Sequence, residues 1–170
     1  MSTSIHRVSP AGLAAIFTAL NSTPGVPSVA SCHDCQVKAM LLMSNNDLGS
    51  GSNWDNFLTL NGYSGTLDEF NVGTTTYYRK EVDFNSLGTT GGQVFFQIHD
   101  PVWSALPAAT RLPTHILYYI ELSGAATDAS ATPPPLTDRI PLCVVDASFT
   151  PDGTDFTALQ PTNGMFRVTT

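Results

Sequence analysis

The stretch "THILYYIEL" (114–122) decides the fold class. It is dense in β-branched and aromatic side chains, which pack well on a pleated surface and restrict a helix. The stretches around it read the same way. "RIPLCVVDASF" (139–149) resumes a sheet, with Pro141 marking an edge or a strand start because proline cannot donate to a ladder. "QVFFQI" (93–98) follows a Thr-Thr-Gly-Gly break, and "HDPVW" after it leads into a loop. "TYYRKEVDF" (76–84) alternates Tyr78, Lys80, Val82 and Phe84 against Tyr77, Arg79, Glu81 and Asp83, which predicts a half-buried strand with the second set outward. "QVKAMLLM" (36–43) is mostly apolar and predicts a central strand; "PDGTDFTAL" (151–159) gives a turn and a strand, and "GMFRVTT" closes the chain. Seven short strands separated by turn signals, beside one helix, predict a mainly β fold: an antiparallel, jelly-roll-like β-sandwich with long loops.

The helix is expected over 10–20. Ser9 is placed to cap it, Pro10 suits its first position, and Leu13, Ile16, Phe17 and Leu20 share one face. Arg7 ahead of "AGLAAIFTAL" (11–20), with "VASC" at 29–32, imitates a cleaved leader. The polar "NSTPGVPS" between them argues against one. The expected organisation is an N-terminal helix or arm over 1–30 and a β-sandwich domain over 31–170, with protruding loops at 44–75 and 123–138.

At 170 residues the chain suits one domain with a genuine core. Charged residues are only 12%, about half the usual share of roughly 25%. With 14 acidic against 7 basic side chains the net charge is −7, and no basic patch exists to neutralise phosphates, so nucleic acid is not an expected partner. No run of 18 apolar residues predicts a membrane-spanning helix.

Candidate chemistry is sparse. Cys32 and Cys35 have C-x-x-C spacing with His33 between them, but a structural zinc site needs four ligands and no second pair exists. A thioredoxin-like motif would open a helix, whereas this one precedes a strand. The expectation is two loop thiols, with Cys143 a small buried hydrophobe and no cofactor. "PDGTD" (151–155) lacks the further carboxylates of a calcium loop and reads as a turn. No nucleophile elbow, phosphate loop or H-E-x-x-H occurs, so no catalytic residue is expected. Ser–His–Asp arrangements leave no such mark, because their members need not be neighbours.

Several pieces fall in a telling order. After the helix and the apolar strand "QVKAMLLM" comes a polar excursion; Glu69 then precedes a "GTxYxR"-type signature within "GTTTYYRKEVDF" (73–84). "QVFF", "DPVW", "THILYY", "IPLCVV", "GTDFTAL" and "NGMFRV" follow. In this layout the chain resembles a family of tailed-bacteriophage virion proteins, over roughly residues 10–170. It departs in its longer 44–75 excursion and its proline-rich 123–138 insert, so partner contacts there do not transfer.

The resemblance implies a structural part of the virion and no catalytic residues. The leading expectation is a capsid decoration (cement) protein on the outer shell. It would be a homo-oligomer, a trimer suiting a three-fold junction, with the major capsid protein as partner. Ile16, Phe17, Trp54, Phe57, Tyr63, Tyr77 and Arg79 are the candidate contact residues, since aromatics and arginine are enriched at interfaces. For Tyr77-Tyr78-Arg79 the plainer expectation is Tyr78 in the core and Arg79 solvated or locally paired. A tail, neck or fibre component is the alternative, with Trp54 and Tyr63 stacking on a host-surface glycan. A hydrolase or metal-binding domain using the Cys and His residues is the third.

Overall fold

The computed structural model describes residues 5–8, 36–47, 67–70, 77, 79–82, 84–90, 93–121, 139–160 and 166–169. These form ten strands: β1 (Ile5–Val8), β2 (Gln36–Met43), β3 (Lys80–Glu81), β4 (Phe84–Thr90), β5 (Gln93–Ile98), β6 (Val102–Trp103), β7 (Pro113–Glu121), β8 (Arg139–Asp146), β9 (Phe156–Thr157) and β10 (Phe166–Thr169). All pairings are antiparallel, and no helix occurs among the described residues. The described part of the protein is therefore mainly β. The expected helix at 10–20 and the insert at 123–138 lie outside the described residues.

The principal sheet has the order β1-β8-β7-β2-β3. Its central strands are apolar along their length because both faces are covered, as in any sheet with no solvated side. On one face Ala39, Leu41, Ile116, Tyr118 and Val145 join the larger core cluster. On the other, Met40, Leu42, Leu117, Tyr119 and Val144 are fully buried, with Leu67 packed against them. One irregularity re-aims β8. Tyr118 sits opposite Cys143 but Tyr119 opposite Pro141, so Leu142 is an extra, bulged residue. Leu142 and Cys143 consequently enter the same cluster. Pro141 is tolerated in this doubly paired strand because it lies beside the bulge and beyond β1, whose ladder runs from Val145 to Cys143.

The stretch 76–84 departs from the expected continuous strand. Only Lys80–Glu81 pair with β2, and Phe84 already begins a separate strand. Arg79 is buried and Glu81 exposed, although alternation had placed both outward. Strand β4, "FNSLGTT", belongs to a second sheet of order β10-β5-β4. Thr90 pairs with Gln93, leaving Gly91-Gly92 as the connection, the dipeptide type that two-residue hairpin loops favour. Two further segments join the principal sheet unexpectedly. Residues 5–8 supply β1, and the polar excursion returns at Leu67–Phe70 to bond the outer side of β2, through Met43 N–H to Asp68 O and Phe70 N–H to Leu41 O.

A two-stranded ribbon, β6 with β9, carries Trp103 and Ala158 into the core. Phe156 stacks between Trp103 and Phe149, at centroid distances of 5.9 and 3.7 Å. Gly153 provides the left-handed turn before β9, at φ 91°. The "PDGTD" carboxylates act on nearby polar groups: Asp152 accepts from the Thr154 backbone and hydroxyl, and Asp155 from Ala105 N–H. The stretch is a turn, as its sequence reads.

Candidate functional site

Three polar clusters stand out on the principal sheet. The first grows from a gap in a ladder. The outer side of β2 is bonded by Val82 near one end and by Asp68 and Phe70 near the other, which leaves Leu41 N–H between them. The Tyr77 hydroxyl accepts that hydrogen bond at 3.1 Å and donates its own proton to Glu69 Oε1 at 3.0 Å. Arg79 grips the same carboxylate as a fork, Nε to Oε1 at 2.7 Å and Nη2 to Oε2 at 2.6 Å. Such bidentate, charge-assisted pairs are among the strongest polar contacts in proteins. Burial drives the Tyr77 phenol well above its ordinary value, and the adjacent Glu69 charge adds to this, so the hydroxyl stays protonated. For Arg79, burial alone would lower the pKa, but the hydrogen bonds and charge of Glu69 outweigh it and raise it. The Phe70 and Tyr77 rings meet edge to face and seal the clamp from the core side.

The second cluster is a buried ion pair, Lys38 Nζ to Glu121 Oε2 at 2.8 Å, with side chains 2% and 3% exposed. The register explains it. Lys38 lies opposite Tyr119 and Gln36 opposite Glu121, so the two charges are diagonal neighbours across β2 and β7.

The third cluster gathers at the other end of β2 and β7. Asp68, in the left-handed region at φ 48°, accepts from Asn45 N–H and pairs with Arg111. His115 Nδ1 lies 3.0 Å from Asn46 Nδ2 and 2.9 Å from Thr114 Oγ1. The Asn46 amide nitrogen also donates to Met43 O, a carbonyl that can only accept, so its orientation is fixed. A donor amide facing Nδ1 requires that nitrogen to accept, which puts the hydrogen of neutral imidazole on Nε2, toward Asp146 Oδ1 at 3.4 Å. Hydroxyl, imidazole and carboxylate thus stand in series, with Asp146 half exposed.

Of the residues picked out by sequence, Tyr77 and Arg79 are brought together, but around Glu69. Arg79 is only 8% exposed. Both engage polar partners within the chain, Arg79 in a pairing of the local kind that was the plainer expectation for it. Ile16, Phe17, Cys32, His33, Cys35, Trp54, Phe57, Tyr63 and Tyr78 lie outside the described residues. Cys143 is fully buried, and that burial raises its thiol pKa. Among the described residues no three His, Cys, Asp or Glu side chains converge as metal ligands. Sequence reasoning missed the Lys38–Glu121 pair and the Thr114–His115–Asp146 series. The signal for both is cross-strand register: His115 lies opposite Asp146, a relation that spacing along the chain does not reveal.

The described residues define a mainly antiparallel β protein whose buried charged side chains tie strands together. Scans against protein-family models, curated proteins and solved structures each found no match.

Proposed function

We propose that this chain is a structural protein of a tailed-bacteriophage virion, most simply a cement protein that stabilises capsomer junctions on the outer shell. In this reading the sheets form a β-sandwich. Ile98 at the end of β5 shares a core cluster with the principal sheet, in support of that packing. The observation that carries the reading is the clamp. Glu69, Tyr77 and Arg79 are the residues of the layout signature, and they close on one another across a gap in the β2 ladder. A motif that serves to lock a strand edge needs no substrate, which suits a protein whose role is to present a rigid body. Bound to the major capsid protein as a homo-oligomer, trimeric at a three-fold junction, it would stabilise the shell by mass action.

The test is particle stability. Virions assembled without the chain should release DNA at a lower temperature, and adding the purified protein should restore the difference. Unchanged release temperatures, with saccharide or cell binding by the isolated protein, would favour the tail or fibre alternative.

The Thr114–His115–Asp146 series favours a second reading, a hydrolase with Thr114 as nucleophile and His115 as base. Ester hydrolysis lost in Thr114→Val but retained in Tyr77→Phe would support it; no turnover of activated esters by the intact chain would dismiss it.

A further inference from the structure

The β6–β9 ribbon departs from the pattern that its own alternation sets up. Pro101, Trp103 and Ala158 are buried on its inner side, with Phe156 half-buried, whereas Asp100, Val102, Thr157 and Leu159 are exposed on the outer side. A sheet face in water is normally polar. Here Val102 and Leu159 are 41% and 52% exposed, two of the three exposed large hydrophobic side chains among the described residues. They are neighbours. The register sets Val102 opposite Thr157, and Leu159 follows two residues later on the same face. A carboxylate stands at each end of this apolar pair. Continued outward, the same register puts Asp100 opposite Leu159, while the exposed Asp155 precedes Thr157 by two residues at the other end. Asp100 Oδ1 accepts from Gln160 N–H at 2.7 Å and Asp155 Oδ1 from Ala105 N–H at 2.9 Å, so each carboxylate is anchored across the ribbon by backbone. The stack of Trp103, Phe156 and Phe149 supports the ribbon from below, and Gln160 Nε2 ties it to the principal sheet by donating to the Tyr118 hydroxyl at 2.7 Å.

We propose that the outer face of the β6–β9 ribbon docks an extended, basic segment of another protein, with lysine or arginine at positions i and i+4 and an apolar residue at i+2. The spacing follows from strand geometry. Asp155 and the level of Asp100 are four residues apart along β9, about 13 Å at about 3.3 Å per residue, and side chains at i, i+2 and i+4 of an extended segment share one face over that length. The two cations then meet Asp100 and Asp155, and the central apolar side chain covers Val102 and Leu159. Charge favours this occupant: segments 99–110 and 147–160 contain Asp100, Asp152 and Asp155 but no lysine or arginine. The chain itself does not supply the segment. No two of its 7 lysines and arginines lie four residues apart, and its net charge of −7 opposes docking of a second copy here. The platform is held rigid before binding, which lowers the ordering cost of a short segment. This inference rests on the ribbon alone, and its failure leaves the virion reading as it stands.

The test uses the 15N-labelled full-length chain and a blocked heptapeptide, Gly-Lys-Thr-Val-Thr-Lys-Gly, followed by amide chemical shifts. Docking predicts saturable shifts confined to residues 99–106 and 152–160, with a Kd below about 1 mM. The peptide with glutamates in place of both lysines should bind at least about tenfold more weakly, because attraction becomes repulsion. Asp100→Asn/Asp155→Asn keeps both side-chain oxygens as acceptors of the backbone N–H groups, so it should stay folded and bind the lysine peptide about fivefold more weakly. Val102→Thr/Leu159→Thr, which removes only the exposed apolar pair, should weaken it as well. Absence of saturable shifts at millimolar peptide, equal binding of the two peptides, or shifts mapping away from the ribbon would each overturn the proposal. So would unchanged affinity in both double variants with their urea midpoints intact.

Discussion

Replacing Arg79 by methionine keeps most of the side-chain volume and removes the charge that faces Glu69. The carboxylate then loses two bonds, at 2.7 and 2.6 Å, while its side chain remains only 15% exposed. Removing one partner of a buried pair strands the other charge in a poorly solvated site, which costs about 3–5 kcal/mol. That is a large fraction of a typical domain stability of about 5–15 kcal/mol. Removing both charges together, in Glu69→Leu/Arg79→Met, should cost much less than the two single changes summed, because no charge is left unpaired. Tyr77→Phe is the milder probe. It deletes the acceptor of Leu41 N–H and one donor to Glu69, for about 1–3 kcal/mol. Urea unfolding followed by circular dichroism would measure the wild type, both single charge variants, the double variant and Tyr77→Phe, with unchanged slopes confirming a common transition. An Arg79→Met loss below about 1 kcal/mol, or a double variant equal to the sum of the singles, would refute the clamp as the lock on β2.

Three further outcomes follow from the same packing. Lys38→Met, which leaves Glu121 charged and 3% exposed, should destabilise by about 3–5 kcal/mol, and Lys38→Met/Glu121→Leu should recover most of it in the same urea assay. Leu41→Ala, at a fully buried core position, should cost about 2–5 kcal/mol by loss of transfer energy and creation of a cavity. The third concerns pH. Burial raises the Cys143 thiol pKa above the unfolded value of about 8.5, so the unfolded chain releases this proton first as pH rises. The thiol's contribution is fully present below pH about 8.5 and is lost above it, toward the higher folded value, with a slope of up to about 1.4 kcal/mol per pH unit. Cys143→Ala should flatten the fall in urea midpoint between pH 8.5 and 10, even though it lowers stability at pH 7.

Much of the fold was legible because its central strands are apolar on both faces. "QVKAMLLM" and "QVFFQI" coincide with β2 and β5, and "THILYYIEL" lies one residue from the bounds of β7. The misreadings have a common cause. Strand β4 reads "FNSLGTT", with two apolar residues in seven, and β1 reads "IHRV"; neither has a periodicity strong enough to be seen without its partner. Alternation failed at Arg79 because an ion pair, rather than solvent, received the charged side chain. The same limit applies to the candidate site. Glu69, Tyr77 and Arg79 were noticed as a signature, but their convergence depends on Glu69 bridging to Leu42 across the β2 ladder. The place of β1 in the sheet also changes what a truncation would report. Deleting residues 1–22 would uncover the β8 edge as well as removing the N-terminal segment.

The central claim is that this is a shell-bound structural protein, and copy number tests it most directly. Quantitative mass spectrometry of purified virions, against the major shell protein, should give a number comparable with that protein's own. A few copies per particle, or a ring's worth, would place the chain at the neck or tail, and its absence from the particle would contradict the account.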